Sequence, residues 1–101
     1  MTQAELLFHE IAAALPEAQG GQLFGKPCYK IKGKAFVCFF KEAIVFKLQH
    51  PEHEKAMALD GAVLFDPSGK GRPMKEWVQL PFTQKASWKK LAAEAQHYVD
   101  A

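Results

Sequence analysis

The stretch 23–48 constrains the fold of this chain more than any other, because it is rich in residues that favour β-strands. It is interrupted at Lys32-Gly33 and again near Lys41-Glu42. We therefore predict a three-stranded antiparallel meander, with strands at residues 23–31, 34–40 and 43–48. The middle strand contains the apolar run AFVCFF, so one face of the sheet should meet a helix and the other should be at least partly covered.

Helical signals flank this meander. Thr2 and Glu5 have the spacing of a capping box, and apolar residues then recur at helical spacing until Pro16 ends the helix. The glycines of the following EAQGG predict a loop. After the meander, Pro51 stands at a first-turn position and two glutamates follow it, which predicts a short second helix that Gly61 ends.

The last part of the chain predicts a second hairpin and a third helix. AVLF and EWVQLP are short strand signals, joined by a polar turn with two glycines and two prolines. A helix from about Gln84 would carry one apolar stripe, formed by Trp88, Leu91, Ala92, Ala95, Tyr98 and Val99. The order helix, three strands, helix, two strands, helix predicts an α+β fold, in which helices pack a twisted antiparallel sheet of about five strands.

Length and composition are those of one globular domain, which we expect to span residues 1–101. Apolar residues make up 49% of the chain and charged residues 24%, a mix that excludes disordered and membrane proteins. The N-terminal residues are acidic, no apolar run could cross a bilayer, and two cysteines do not make a disulfide framework. We therefore expect a cytoplasmic protein with reduced cysteines and no membrane partner.

Positive charge is concentrated in two hairpins, although the formal net charge is only +2. Strand alternation predicts that Cys28, Lys30 and Lys32 share one face of the first hairpin, with Lys34 just past its turn. The tips of both hairpins could form one positive surface for phosphate backbones. The alternative is that exposed lysines only keep the hairpins soluble. The predicted nucleic-acid-binding residues are Lys30, Lys32, Lys34, Lys70, Arg72 and Lys75.

Cys28 and Cys38 are candidates for a redox or metal-binding pair. They stand symmetrically about Gly33, so a three-residue turn would place them opposite each other across two strands. A register shift of one residue would separate them onto opposite faces. The alternative is that both are small buried core residues. His50 and His53 could share a helix face, but no third metal ligand is evident and a solvated first turn is the simpler interpretation.

The chain shows no motif for catalysis. Ser68 and Ser87 lack a nucleophile elbow, and PSGKGRP lacks the spacing and the following helix of a phosphate-binding loop. We therefore predict no catalytic residues, no cofactor and no metal. Trp77, Phe82 and Trp88 should fill the seam between the sheet and the last helix, or else contribute to a dimer interface.

Several short motifs, taken in order, resemble the N-terminal domain of the TfoX/Sxy competence regulators and the neighbouring MmcQ/YjbR-type small proteins. The matching features cover nearly the whole chain: Phe24-Gly25, Gly33-Lys34 with Phe36, the strand IVFKL, Trp77 with Pro81, and the last helix. The resemblance implies an α+β domain with a twisted antiparallel sheet, and it supplies no established catalytic residues.

Together these patterns predict a non-enzymatic cytoplasmic binding domain with a regulatory, nucleic-acid-linked role. The alternative is a module for protein–protein interaction that does not bind nucleic acid. It would act as a homodimer or with a regulatory protein partner.

Overall fold

The computed structural model describes residues 1–101 and contains one antiparallel sheet, three α-helices and a short 3-10 helix. The helices are α1 (Gln3–Ala13), α2 (Glu52–Met57) and α3 (Trp88–Asp100), and the 3-10 helix (Phe82–Ser87) leads directly into α3. The strands are β1 (Gln19–Leu23), β2 (Lys26–Ile31), β3 (Lys34–Phe40), β4 (Ala43–Lys47), β5 (Val63–Phe65) and β6 (Met74–Pro81).

The sheet has the strand order β1-β2-β3-β4-β6-β5, and all neighbouring strands are antiparallel. The predicted α+β class is therefore confirmed. The order of elements also matches, except that an additional strand, β1, precedes the predicted meander and brings the sheet to six strands. None of the helices combines the length and the hydrophobicity that a membrane-spanning segment needs.

The additional strand exists because the chain reverses at Phe24 and Gly25. Their φ angles are 53° and 74°, as a two-residue hairpin turn of type I′ requires. Residues 19–23 therefore pair with β2 as an edge strand. The prediction that Gly20 and Gly21 lie in a loop is wrong, because pairing with β2 supplies the backbone hydrogen bonds that hold these weak strand formers in place.

The β2–β3 hairpin combines a tight turn with a bulge. Lys32 and Gly33 have φ angles of 51° and 79° and form a two-residue turn. This turn alone would leave Cys28 and Cys38 one position out of register, but Phe36 is an extra residue in β3 and restores their alignment. Of the two registers that the sequence allowed, the structure therefore has the one that places Cys28 opposite Cys38, and it does so through a two-residue turn and a bulge.

α1 and α3 cover one face of the sheet. Phe8 of α1 is fully buried, and its ring centroid lies 5.5 Å from that of Phe39 in β3. The predicted stripe of α3 is confirmed, because its members are buried in the same core apart from the half-buried Tyr98. The helix begins later than predicted, since Gln84 has non-helical backbone angles within the preceding 3-10 helix.

The opposite face has no helix on it but carries a second, smaller core. Strands β2 to β6 each contribute one buried residue to it: Cys28, Cys38, Val45, Phe65 and Trp77. Half-buried side chains pack around them, namely Leu23, Ala35, Phe40 and Met74. We call this side of the sheet the helix-free face. Its packing confirms that both faces of the central strand are covered.

Candidate nucleic-acid interface

The two basic hairpin tips lie at the same end of the sheet. The turn at Lys32-Gly33 joins β2 to β3, residues 66–73 join β5 to β6, and β4 ends between them. Only β4 separates β3 from β6, so the two connections begin about 10 Å apart, at two strand spacings. We call this end of the sheet the basic end. All six predicted binding residues lie in these connections or within two residues of them: Lys30, Lys32, Lys34, Lys70, Arg72 and Lys75.

Lys30 and Lys32 do not project together as predicted. Lys30 follows the alternation and lies on the helix-free face, where its stem carbons approach Gly21 in β1. Lys32 lies in the turn, and its Nζ is 2.9 Å from Oδ1 of Asp100 at the end of α3, on the helix-covered side. The hydrogen bond to Asp100 and its charge raise the pKa of Lys32. Lys32 is therefore the one predicted binding residue whose charge is already paired.

The loop 66–73 is organised around its own carboxylate. Asp66 Oδ1 accepts hydrogen bonds from the Ser68 hydroxyl and the Gly69 N–H, and Oδ2 accepts one from the Gly71 N–H, at 2.9–3.1 Å. Desolvation opposes the charged form, but these bonds outweigh it and lower the pKa of Asp66. The loop's amides are thus occupied by an internal anion and do not form a phosphate-binding loop. The exposed Lys70 and Arg72 extend from this ordered loop.

The helix-free face carries further lysines that the sequence-based prediction omitted. Lys47 pairs directly with Trp77 across β4 and β6, and Lys26 lies over the ring of Phe40, 5.2 Å from its centroid. The strands contain one acidic residue, Glu76, and its carboxylate accepts a 2.8 Å hydrogen bond from Tyr98 of α3. The alternation of Lys47 with Val45 could have revealed the first of these lysines. The alternation of Lys26 with Cys28 in β2 could have revealed the second.

A groove of about 600 Å³ opens at the basic end. Lys34 and Lys47 supply its positive charge. Its apolar lining comes from the starts of β3 and β6 and from the last turns of α3, and includes Met74, Trp77, Tyr98 and Val99. Glu76 is close by, with a carboxylate oxygen 3.9 Å from Lys47 Nζ. The groove therefore combines cations with an apolar lining between the two basic connections.

The cysteine pair has the proximity but not the reactivity that redox or metal chemistry requires. Hydrogen-bonded and non-hydrogen-bonded residue pairs alternate outward from each hairpin turn, and this alternation makes Cys28–Cys38 a non-hydrogen-bonded pair. The Cα atoms of such a pair are usually about 4.5 Å apart. Both side chains are buried free thiols. Burial raises the pKa of Cys28, and burial with the charge of Cys28 raises the pKa of Cys38 to about 12. Both thiols are therefore protonated at neutral pH and poor nucleophiles or ligands.

The two histidines before and within α2 have separate partners. His50 Nδ1 lies 3.1 Å from Glu54 Oε2, and His53 Nε2 lies 2.7 Å from the Lys75 carbonyl oxygen. No three His, Cys, Asp or Glu side chains come together in a way that could hold a metal ion. The His53 contact instead ties α2 to the start of β6, next to the basic end.

No family model, curated protein or solved structure matches this chain. The resemblance to the TfoX/Sxy N-terminal domain stays a prediction.

Proposed function

We propose that this protein is a non-enzymatic domain that binds nucleic acid, with the basic end and the helix-free face as its contact surface. The observation that carries the proposal is the shared location of the two basic connections, with a groove containing Lys34 and Lys47 between them. A regulatory role in the cytoplasm fits a domain whose output is binding and whose two cysteines are buried thiols.

The charge distribution supports the proposal. Five of the six predicted binding residues have no carboxylate within 4.0 Å, Lys32 being the exception. Such cations can release condensed counterions when they contact phosphates, which is the main source of sequence-independent affinity for nucleic acids. The acidic residue of the strands, Glu76, accepts a hydrogen bond from Tyr98 on α3, and among the lysines of this surface it lies near Lys47 alone, at 3.9 Å.

The experiment that tests the proposal is a titration of labelled single- and double-stranded DNA and RNA at two salt concentrations. We expect affinity to fall as salt rises, and to fall further when Lys30, Lys34 and Lys70, none of which has an ion-pair partner, are all replaced by glutamine. Each lost phosphate contact should reduce the slope of log K against log salt by about 0.7 for single strands and about 0.9 for duplex.

A matched control removes the same charge from the helices. Lys55, Lys89 and Lys90 are exposed on α2 and α3, away from the helix-free face. Replacing these three with glutamine lowers the net charge equally and should leave the salt slope unchanged. Equal effects of both triple variants, or no detectable binding by the wild type, would remove the proposal.

A second candidate function is homodimeric protein–protein interaction, which a groove beside α1 favours. The half-buried Leu7, Ile11 and Leu15 lie along this groove of about 550 Å³, and Lys85 and Lys89 also line it. Packing against a second copy would cover these apolar residues. Sedimentation over a wide concentration range tests this candidate, and Ile11→Arg should dissociate the dimer. A monomer at the highest concentration would eliminate it.

A further inference from the structure

We infer that the groove at the basic end receives an unpaired nucleotide, so that the protein prefers single strands to duplex. This inference rests on the proposed function and names the form of nucleic acid that the same surface takes. The base would lie against the half-buried Met74 and Tyr98, above the exposed edge of Trp77, and the adjoining phosphates would contact Lys34 and Lys47.

The lining of the groove is the first reason. Lysines alone would suit any phosphate backbone, but here they stand beside an apolar and aromatic surface. Stacked bases in a duplex have no free face to offer that surface, whereas an unpaired base can bury one face against it. Cations beside an aromatic surface are the combination with which proteins bind single strands without sequence preference.

The width of the opening is the second reason. The groove opens where β3 and β6 begin, about 10 Å apart, with β4 ending between them. A duplex, whose major groove alone is about 12 Å wide, is broader than this opening. It could reach the lysines at the tips but not the floor at Trp77.

The two tryptophans provide a selective readout. Trp77 lines the groove, whereas Trp88 is fully buried under the helix-covered face and donates its indole N–H to the carbonyl of Pro81. A base that enters the groove should change the fluorescence of Trp77 and leave that of Trp88 unaltered. Trp77→Phe retains an aromatic side chain in the small core and removes the signal.

The experiment compares three probes of about 12 nucleotides, a length within the usual site size of single-strand binders. They are an intact single strand, an abasic single strand with the same phosphates, and a hairpin duplex, each made as DNA and as RNA. We expect the intact strand to bind about tenfold more tightly than the abasic strand, as stacking of one base predicts. Only the intact strand should quench Trp77.

Met74→Ala tests the groove without removing an aromatic residue. It should reduce the preference for intact over abasic strands and leave the affinity for abasic strands unchanged. If intact, abasic and duplex probes bind equally and with salt dependence, the inference is wrong and the proposed function stands. If no probe binds, both are wrong. A difference between the DNA and RNA arms would show which sugar the groove accepts.

Discussion

Asp100→Asn should strengthen nucleic-acid binding, because it frees a lysine that the fold holds in an ion pair. Lys32 lies at the tip of the first hairpin and is exposed, yet its Nζ is 2.9 Å from the Asp100 carboxylate. Neutralising that carboxylate turns a compensated cation into one that can contact a phosphate. The substitution should not harm α3, since a negative charge at the C-terminal end of a helix opposes its dipole.

The magnitude follows from counterion release. One additional contact to a single strand steepens the slope of log K against log salt by about 0.7. If the contact adds nothing at about 1 M salt, this slope corresponds to an affinity gain of about eightfold at about 50 mM salt and about threefold at about 200 mM. Lys32→Gln should change little in the wild type, because Asp100 already balances that charge, and should abolish the gain in the Asp100→Asn background.

Fluorescence anisotropy of a labelled single strand, at four or more salt concentrations, measures the affinity of all four proteins in this double-mutant cycle. Coupling between the two substitutions is the decisive quantity. Equal losses on Lys32→Gln in both backgrounds would show that the ion pair does not mask the lysine in solution. A gain from Asp100→Asn that persists at high salt would show that the gain does not arise from a phosphate contact.

Three further results are expected. Phe8→Ala should destabilise the fold by about 3–5 kcal/mol in chemical denaturation, while Leu6→Ala on the exposed side of the same helix should cost less than about 0.5 kcal/mol; similar values would contradict the assigned core. Asp66→Ala should speed tryptic cleavage within the loop 66–73. In the wild type, the stability from that carboxylate should be present above about pH 4 and lost as the pH falls through its lowered pKa. Cleavage of the variant at the wild-type rate would contradict the first expectation. Loop amide NMR shifts of the wild type that stay constant as the pH falls would contradict the second. Cys28 and Cys38 should react with a thiol reagent at neutral pH only after unfolding, and fast labelling of the native protein would contradict their burial and raised pKa values.

Strong periodic signals in the sequence predicted the elements that pack the core. The stripe on α3 and the apolar strand β3 were located correctly, because burial on both sides of the sheet leaves a pattern in the residues themselves. β1 has no such pattern. Its Gln-Gly-Gly-Gln run is exposed, so only its pairing with β2 holds it extended.

The sequence located the two basic connections, but it did not reveal Lys47 or the groove between them. Alternation placed Lys30 correctly but failed at Lys32, because a turn residue with positive φ no longer follows the alternation of a strand. Lys47 and Trp77 are far apart in sequence, and their contact depends on β4 pairing with β6. The groove lies between the two basic connections because of the strand order, and no local sequence pattern predicts that order.

The residues proposed to bind nucleic acid are different from the residues that stabilise the fold. The two cores are built from apolar side chains, and no polar or charged residue is buried. Lysines of the basic end are exposed or half-buried, and Lys34, Lys70 and Arg72 make no ion pair. Exposed substitutions of this kind usually change stability by less than about 0.5 kcal/mol. Charge at the basic end can therefore be varied while the fold is kept constant, so a lost affinity in these variants reports on the contact surface itself.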